Sequence, residues 1–529
     1  MLFADLHAHP FLRPFENRLN NNDSMSGDPN NINSIWNLYD LPNDSLRHII
    51  GEHAGFTTYS QSDFTSTINS SVRLIGVSLY PPESGFFNIP NSTTFDKILS
   101  LLRLKEVAEL ELGHVVSSFS KNNVKQLKDD SYDYFEELLS QLNYIKNGPF
   151  NPEASQCVGA TYAQIKNADY KILQVGADVQ LINSDPTIQI FLTIEGGNSL
   201  WSNKTIDGQL YNGRNFEQYI SNNQLFAYKV LNDADYRNKI TIDMVENHFE
   251  AMNPLWSKAA CDMVMQNLEQ LLAGTKLFSF TIAHHYYNGL CGHCESLQPV
   301  TSLGLTDQSF GINSDITPVG YMVINELLKN NVLVDVKHMS WKARQSYYRF
   351  RANNYPHIPI VWSHACVSGR KVTDQGFINT WDPSPFYQEN LNMFDDDIFE
   401  TIRSNGMIGI ELDQRVNGVK KDDGYHIENL WRHFQYIAER AAAMARTPGI
   451  TVWDNMCLGS DFDGVIHPVS EYPTYREMKF FEDFLSKQIK AYMQHPPANF
   501  QPQDMLDPDE ILARLCFKNL VWFVKENFK

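Results

Sequence analysis

Short apolar runs recur along the chain, at residues 2–6, 72–79, 189–194, 277–283, 332–336, 358–362, 407–412 and 455–459. Near-continuous apolar runs of this length, without strict polar alternation, suit strands of a parallel sheet buried on both faces. Between them, residues 97–112, 134–145, 263–272, 319–328, 396–404, 427–444 and 475–492 place apolar side chains near a 3.6-residue period, which predicts helices. A last helical stretch, 510–525, follows the final run. This βα alternation predicts an α/β fold, and eight runs suit a (β/α)8 TIM barrel, here taken as one domain spanning residues 1–529. Two regions break the rhythm: about residues 10–70, whose part 18–34 is rich in Asn and Asp, and about residues 198–276, with many Asn and Tyr. They read as inserted loops, which serve either as lids and binding loops or as surface decoration.

Composition narrows the class. Hydrophobic residues make up 43% of 529, enough for a large core. The charge balance, 43 Lys+Arg against 62 Asp+Glu for a net of −19, has no basic stripe, so the expectation is no nucleic acid and no membrane among its partners. Seven cysteines at irregular spacing do not form a disulfide framework. The start, Met1-Leu2-Phe3-Ala4-Asp5, has no basic and apolar leader, and nowhere do about 18 apolar residues run together. The expectation is a cytoplasmic protein.

Ligand-type residues gather where the predicted strands end. His7 and His9 close the first run; residues two apart on a strand share a face, so both imidazoles can point at one ion. Residues 332–336 and 358–362 lead into His338 and His364, a repeated design that packing does not explain, because a buried imidazole needs partners for both nitrogens. Glu195 ends the run Ile190-Phe191-Leu192-Thr193-Ile194, and Gly196-Gly197 let the chain turn sharply after it. After residues 455–459 come Asp461 and Asp463; either can be a turn former, and Asp461, nearer the strand end, is the better candidate for a base. In a parallel barrel all these strand ends meet at one rim. Four histidines, a glutamate and an aspartate make a two-metal site with a base, more than a structural zinc needs. Cys291-Gly292-His293-Cys294 has no second pair of thiols to complete a tetrahedral zinc set and reads as a loop near the pocket mouth.

In order along the chain stand His7-Ala8-His9, Glu195-Gly196-Gly197, Thr281-Ile282-Ala283-His284, Val334-Asp335-Val336-Lys337-His338-Met339-Ser340, Val361-Trp362-Ser363-His364, Gly459-Ser460-Asp461-Phe462-Asp463-Gly464 and Lys518-Asn519-Leu520. Through these the chain resembles the membrane (renal) dipeptidases and their bacterial relatives in the amidohydrolase superfamily. The resemblance implies that His7 and His9 hold one divalent metal ion, that His338 and His364 hold the other, and that Glu195 bridges them. It further implies that His284 faces the substrate and that Asp461 handles the proton. Relatives are often dimers, which implies a homodimer here.

The departures carry information too. The family's His-x-Asp is His7-x-His9 here, with one negative charge fewer. The family's Arg-Asn-Leu, whose Arg binds the substrate carboxylate, is Glu389-Asn390-Leu391, and a family Tyr gives way to Asp413. Arg370 and Arg415 then stand as candidates for that carboxylate. A carboxylated lysine is the rival metal bridge, but Lys337 adjoins His338, and neighbouring strand residues face opposite sides.

The predicted chemistry is hydrolysis of a dipeptide or small amide, with two divalent ions, zinc as first choice, activating a water. Asp461 moves the proton and His284 steadies the oxyanion. One alternative keeps the metals but cleaves a lactone, cyclic amide or other non-peptide ester. Another is an inactive binding protein on the same barrel.

Overall fold

Strand β1, Phe3–Ala8, is buried along its whole length, because it is flanked by sheet on both sides and covered on both faces. The computed structural model describes residues 1–19, 35–36, 57, 59–87, 121–128, 131–146, 170–180, 185–206, 209–211, 258–297, 301, 306–373, 376–381, 383–418, 428–446, 449–464 and 466–529. The other central strands are β2 (Val72–Leu79), β3 (Ile188–Glu195), β4 (Ser279–Thr281), β5 (Leu333–Asp335), β6 (Val361–Ala365), β7 (Met407–Ile410) and β8 (Met456–Leu458). Each pairs in parallel with its neighbour in sequence, and Asp5 of β1 meets Leu458 of β8 to close the ring. The fold is a (β/α)8 barrel. Every predicted strand corresponds to one of these, though β6 is displaced toward His364 because Pro359 has no N–H to give a ladder. Barrel closure also demands small residues: a Cβ at Gly409 or at Gly459 would lie 2.1 Å from the Ser363 carbonyl oxygen.

The helices sit where the 3.6-residue period places them, including Tyr134–Lys146, Lys258–Gly274, Pro318–Lys329, Asp395–Arg403, Glu428–Ala442 and Met478–Tyr492. The predicted stretch 510–525 becomes Pro508–Ala513 and Asn519–Asn527 around a wide turn at Arg514–Lys518. Starts are marked by side-chain caps: the Thr317 hydroxyl accepts from Gly320 N–H ahead of Pro318, and the Ser340 hydroxyl accepts from Ala343 N–H. Helix Trp341–Asn354 has no counterpart in the sequence reading. Its inward face includes Arg344, which forks onto Asp397 with two bonds of 3.1 Å and lies over the Trp362 ring, so its apolar period is interrupted by a buried cation. The predicted helix 97–112 lies outside the described residues, as do most of residues 20–56 and 212–257 of the two expected insertions. Among the described residues no helix is long and apolar enough to cross a membrane.

His433, on Glu428–Ala442, braces the loop after β6. Its Nδ1 accepts from Val367 N–H at 3.1 Å and its Nε2–H donates to the Asn417 carbonyl at 2.7 Å. Burial pushes its pKa down to about 3, so the native ring is neutral while the unfolded one titrates near its ordinary value. The folded pKa being the lower, this contribution is present above about pH 6.5 and is lost as pH falls toward 3. Each pH unit in that window should cost the native state roughly 1 kcal/mol, and His433→Gln should flatten the slope of unfolding free energy against pH. Equal slopes in the two proteins would reject this role.

Candidate functional site

The carboxyl ends of the strands deliver the predicted residues to one rim, with His7 and His364 inside β1 and β6 and Glu195 as the last residue of β3. His9, His284, His338 and Asp461 follow β1, β4, β5 and β8 within three residues. His338 and Asp461 have left-handed backbone, φ +64° and +58°, a strained choice for residues other than glycine that turns their side chains into the centre. Gly196, at φ +95°, makes the turn after Glu195; a Cβ there would meet Asn198 Oδ1 at 2.3 Å.

Glu195 divides the cluster. Its Oε2 lies 3.5 Å from His7 Nε2 and 3.1 Å from His9 Nε2, while Oε1 lies 3.6 Å from His338 Nε2 and 3.7 Å from His364 Nε2. Asp461 Oδ1 is 3.5 Å and 3.4 Å from the first pair of imidazoles, and its Oδ2 is 4.0 Å from His364 Nε2. These separations suit ligands around a shared ion. Nε2 of His7 and of His9 and Oε1 of Glu195, atoms that face the centre of the cluster, are buried with no hydrogen-bond partner among the described residues. Buried polar atoms without partners are costly, and cations between them would satisfy the nitrogens and the carboxylates together. The donor set therefore fits divalent metal ions, in groups His7, His9, Glu195, Asp461 and Glu195, His338, His364.

The electrostatics agree. Burial alone would lower the His9 pKa, yet the facing carboxylates of Asp461 and Glu195 outweigh it and raise it to about 10. Burial raises Glu195, and the surrounding imidazoles of His284, His7 and His338 more than reverse that, holding it well below the carboxylate range. Both results mean that this pocket favours positive charge. His338 and His364 are instead driven far down, first by burial and then by neighbouring cationic groups, which leaves neutral rings of the form that binds metal.

Two buried aspartates hold the ligand-bearing ends in register. Asp5 accepts from His7 N–H, Ser460 N–H and the Tyr475 hydroxyl, joining β1 to the loop after β8. Asp335 accepts from Lys337 N–H and Ser363 N–H, and from the hydroxyls of Thr281 and Ser363. Because the Ser363 hydroxyl gives its hydrogen to Asp335, it can only accept from His364 Nδ1–H at 2.9 Å, which turns the free Nε2 toward Glu195.

A cavity opens on this cluster, lined in part by His9, Glu195, His284, His338, His364 and Asp461. Arg415 reaches it, but its guanidinium forks onto Asp413 with bonds that include 2.9 and 3.0 Å. Arg370 does not: it lies on the hairpin Arg370–Thr373 and Gly376–Asn379, donating to Gln388 and Asn379. Asp463 also stays out of the cluster, accepting from Gln61 N–H, Ser62 N–H and the Ser62 hydroxyl as a turn anchor. Cys291 and Cys294 are buried free thiols.

Lys337 corrects the alternation argument. The strand ends at Asp335, so Lys337 and His338 sit in a turn and both line the cavity. The Lys337 ammonium is 2.7 Å from Glu411 Oε2, and it is Glu195 that faces both imidazole pairs. Glu411 is a wall residue that sequence reasoning passed over; burial raises its pKa to about 7, against the pull of Lys337 and with the push of Asp413 and Asp461. Its signal was available, since it follows β7 directly as Glu195 ends β3. His285 also lines the cavity.

No family model matches the chain, and no curated protein sequence matches it. Among solved structures it is similar, over 100% of its length and 99% of the other chain, to a metallo peptidase from Rhodobacter sphaeroides liganded with a phosphinate mimic of the dipeptide L-Ala-D-Ala, at 11% identity and TM-score 0.50. Dipeptidase AC, a metallo peptidase, gives 12% identity and TM-score 0.48 over 100% of this chain and 99% of that one. An amidohydrolase from Pseudomonas aeruginosa gives 9% and 0.39 over 90% and 98%. At these identities the first likeness is one of fold, a barrel shared from end to end.

Proposed function

We propose that this chain is a metal-dependent hydrolase that cleaves a dipeptide or similar small amide. The observation that carries the reading is that one carboxylate, Glu195, presents one oxygen to His7 and His9 and the other to His338 and His364. His7, His9 and Glu195 Oε2 would hold one divalent cation, and His338, His364 and Glu195 Oε1 the second; imidazole-rich donors suit zinc. Two such ions, when bound, lower the pKa of water toward neutrality and polarise a carbonyl.

The protein's own groups do the rest. Asp461, whose two oxygens face different imidazoles, accepts the proton of the attacking water and returns it to the leaving nitrogen. His284 Nε2, 3.7 Å from Glu195 Oε1, faces the same space and steadies the oxyanion. The metallo peptidase of the same fold, liganded with a dipeptide mimic, supports the choice of substrate.

A second reading, an ester, lactone or cyclic amide as substrate, is favoured by the cavity's cations. Arg415 is matched by Asp413 and Lys337 by Glu411, and Arg370 lies elsewhere, so no described guanidinium is set aside for a substrate carboxylate. One experiment addresses both: dipeptides, N-acyl amino acids and lactones are assayed before and after exhaustive chelation. The expected result is dipeptide hydrolysis that chelation abolishes and Zn²⁺ or Mn²⁺ restores. Turnover of lactones alone would move the assignment to the second reading, and full activity after metal removal would defeat both.

A further inference from the structure

Glu83 lies on the turn after β2, in Pro81-Pro82-Glu83, 5% exposed and absent from the ligand cluster. Its carboxylate is nevertheless built into the site. Oε1 lies 2.8 Å from His284 Nδ1 and accepts the His285 backbone N–H at 3.1 Å; Oε2 accepts the Tyr80 hydroxyl at 2.5 Å. The Tyr80 ring stands edge-on to His284, 4.7 Å away, and so limits how that imidazole can turn.

A carboxylate has no hydrogen to give, so the Nδ1 of His284 must be the donor. With Nδ1 engaged by Glu83, Nε2 is the atom turned to the cavity, on the Glu195 side. An oxyanion can only accept, so the ring steadies it while both nitrogens carry hydrogen, Nδ1–H toward Glu83 and Nε2–H toward the cavity. We propose that Glu83 is a positioning residue for the hydrolase read above: by holding Nδ1–H it fixes the ring plane of His284, so that Nε2–H is presented to the substrate. The inference rests on that reading for its function, but the pairing itself does not. Groups that orient a site imidazole through its second nitrogen commonly change affinity or activity by about 10- to 100-fold when removed.

The test has two arms. In the first, metal-free protein labelled with ¹⁵N-histidine is examined by long-range ¹H–¹⁵N correlation, with His284 identified by its loss in His284→Gln. Nδ1 should lie in the protonated range in the wild type, and in Glu83→Ala the two nitrogens should move toward a mixture of forms. In the second, Glu83→Ala in metal-loaded enzyme should lower kcat by about 10- to 100-fold with KM and metal content nearly unchanged, and Glu83→Gln, whose carbonyl oxygen can accept the same bond, should recover most of it. An unprotonated Nδ1 in the wild type, or a Glu83→Gln enzyme no better than Glu83→Ala, overturns the proposal. The wild-type spectrum decides the pairing even if Glu83→Ala does not fold. A wild type that hydrolyses nothing removes the hydrolase reading while leaving the spectral arm intact, so the two failures are distinguishable.

Discussion

Glu195→Gln is expected to lower hydrolysis by at least about 1,000-fold, roughly 4 kcal/mol of transition-state stabilisation. Glutamine keeps the shape but carries one oxygen and no charge. Whichever way the amide turns, one imidazole pair faces an NH2 group that repels a cation where the carboxylate oxygens stand 3.1–3.7 Å from four ring nitrogens. Loss of one ion's ligand also removes the second function of the pair, since both ions act on the same water and carbonyl. Glutamine conserves the packing volume, so the variant should still fold. Activity within tenfold of wild type would show that Glu195 is not the shared ligand.

Asp335→Ala acts one layer deeper and on stability first. Asp335 is fully buried, and its two oxygens take four hydrogens, two of them backbone N–H groups of Lys337 and Ser363 that cannot turn away. Leaving them unpaired should cost about 3–5 kcal/mol, read as a lower urea midpoint of the metal-free protein with an unchanged slope. A functional loss should accompany it. With Asp335 gone, the Ser363 hydroxyl is no longer obliged to accept from His364 Nδ1, and metal affinity at that imidazole should fall by about 10- to 100-fold. Asp335→Asn, which retains one acceptor oxygen, should lie between. A midpoint equal to wild type in Asp335→Ala would contradict the role given to this residue.

Much of the site was legible because barrel sites are written at strand ends, and strand ends are local. Apolar runs that stop at His7, Glu195, His338, His364 and Asp461 mark the rim without knowledge of how strands pair. Placement beyond a strand end was not legible. Lys337 was assigned to the far side of its strand by alternation, but β5 stops two residues earlier, where the period of two no longer holds. Arg370 and Arg415 are equally plausible by distance along the chain, and only the hairpin that carries Arg370 separates them. Glu83 and the bonding of Asp335 depend on contacts between elements far apart in sequence, for which residue type gives no sign. Helix Trp341–Asn354 escaped because buried Arg344 stands where an apolar residue would carry the period.

Anomalous X-ray scattering at the zinc edge from crystals of the Zn²⁺-loaded protein tests the central claim most directly. The account predicts two peaks flanking Glu195, one among His7, His9 and Oε2, the other among His338, His364 and Oε1. A single peak, or two peaks that do not share Glu195, would contradict it.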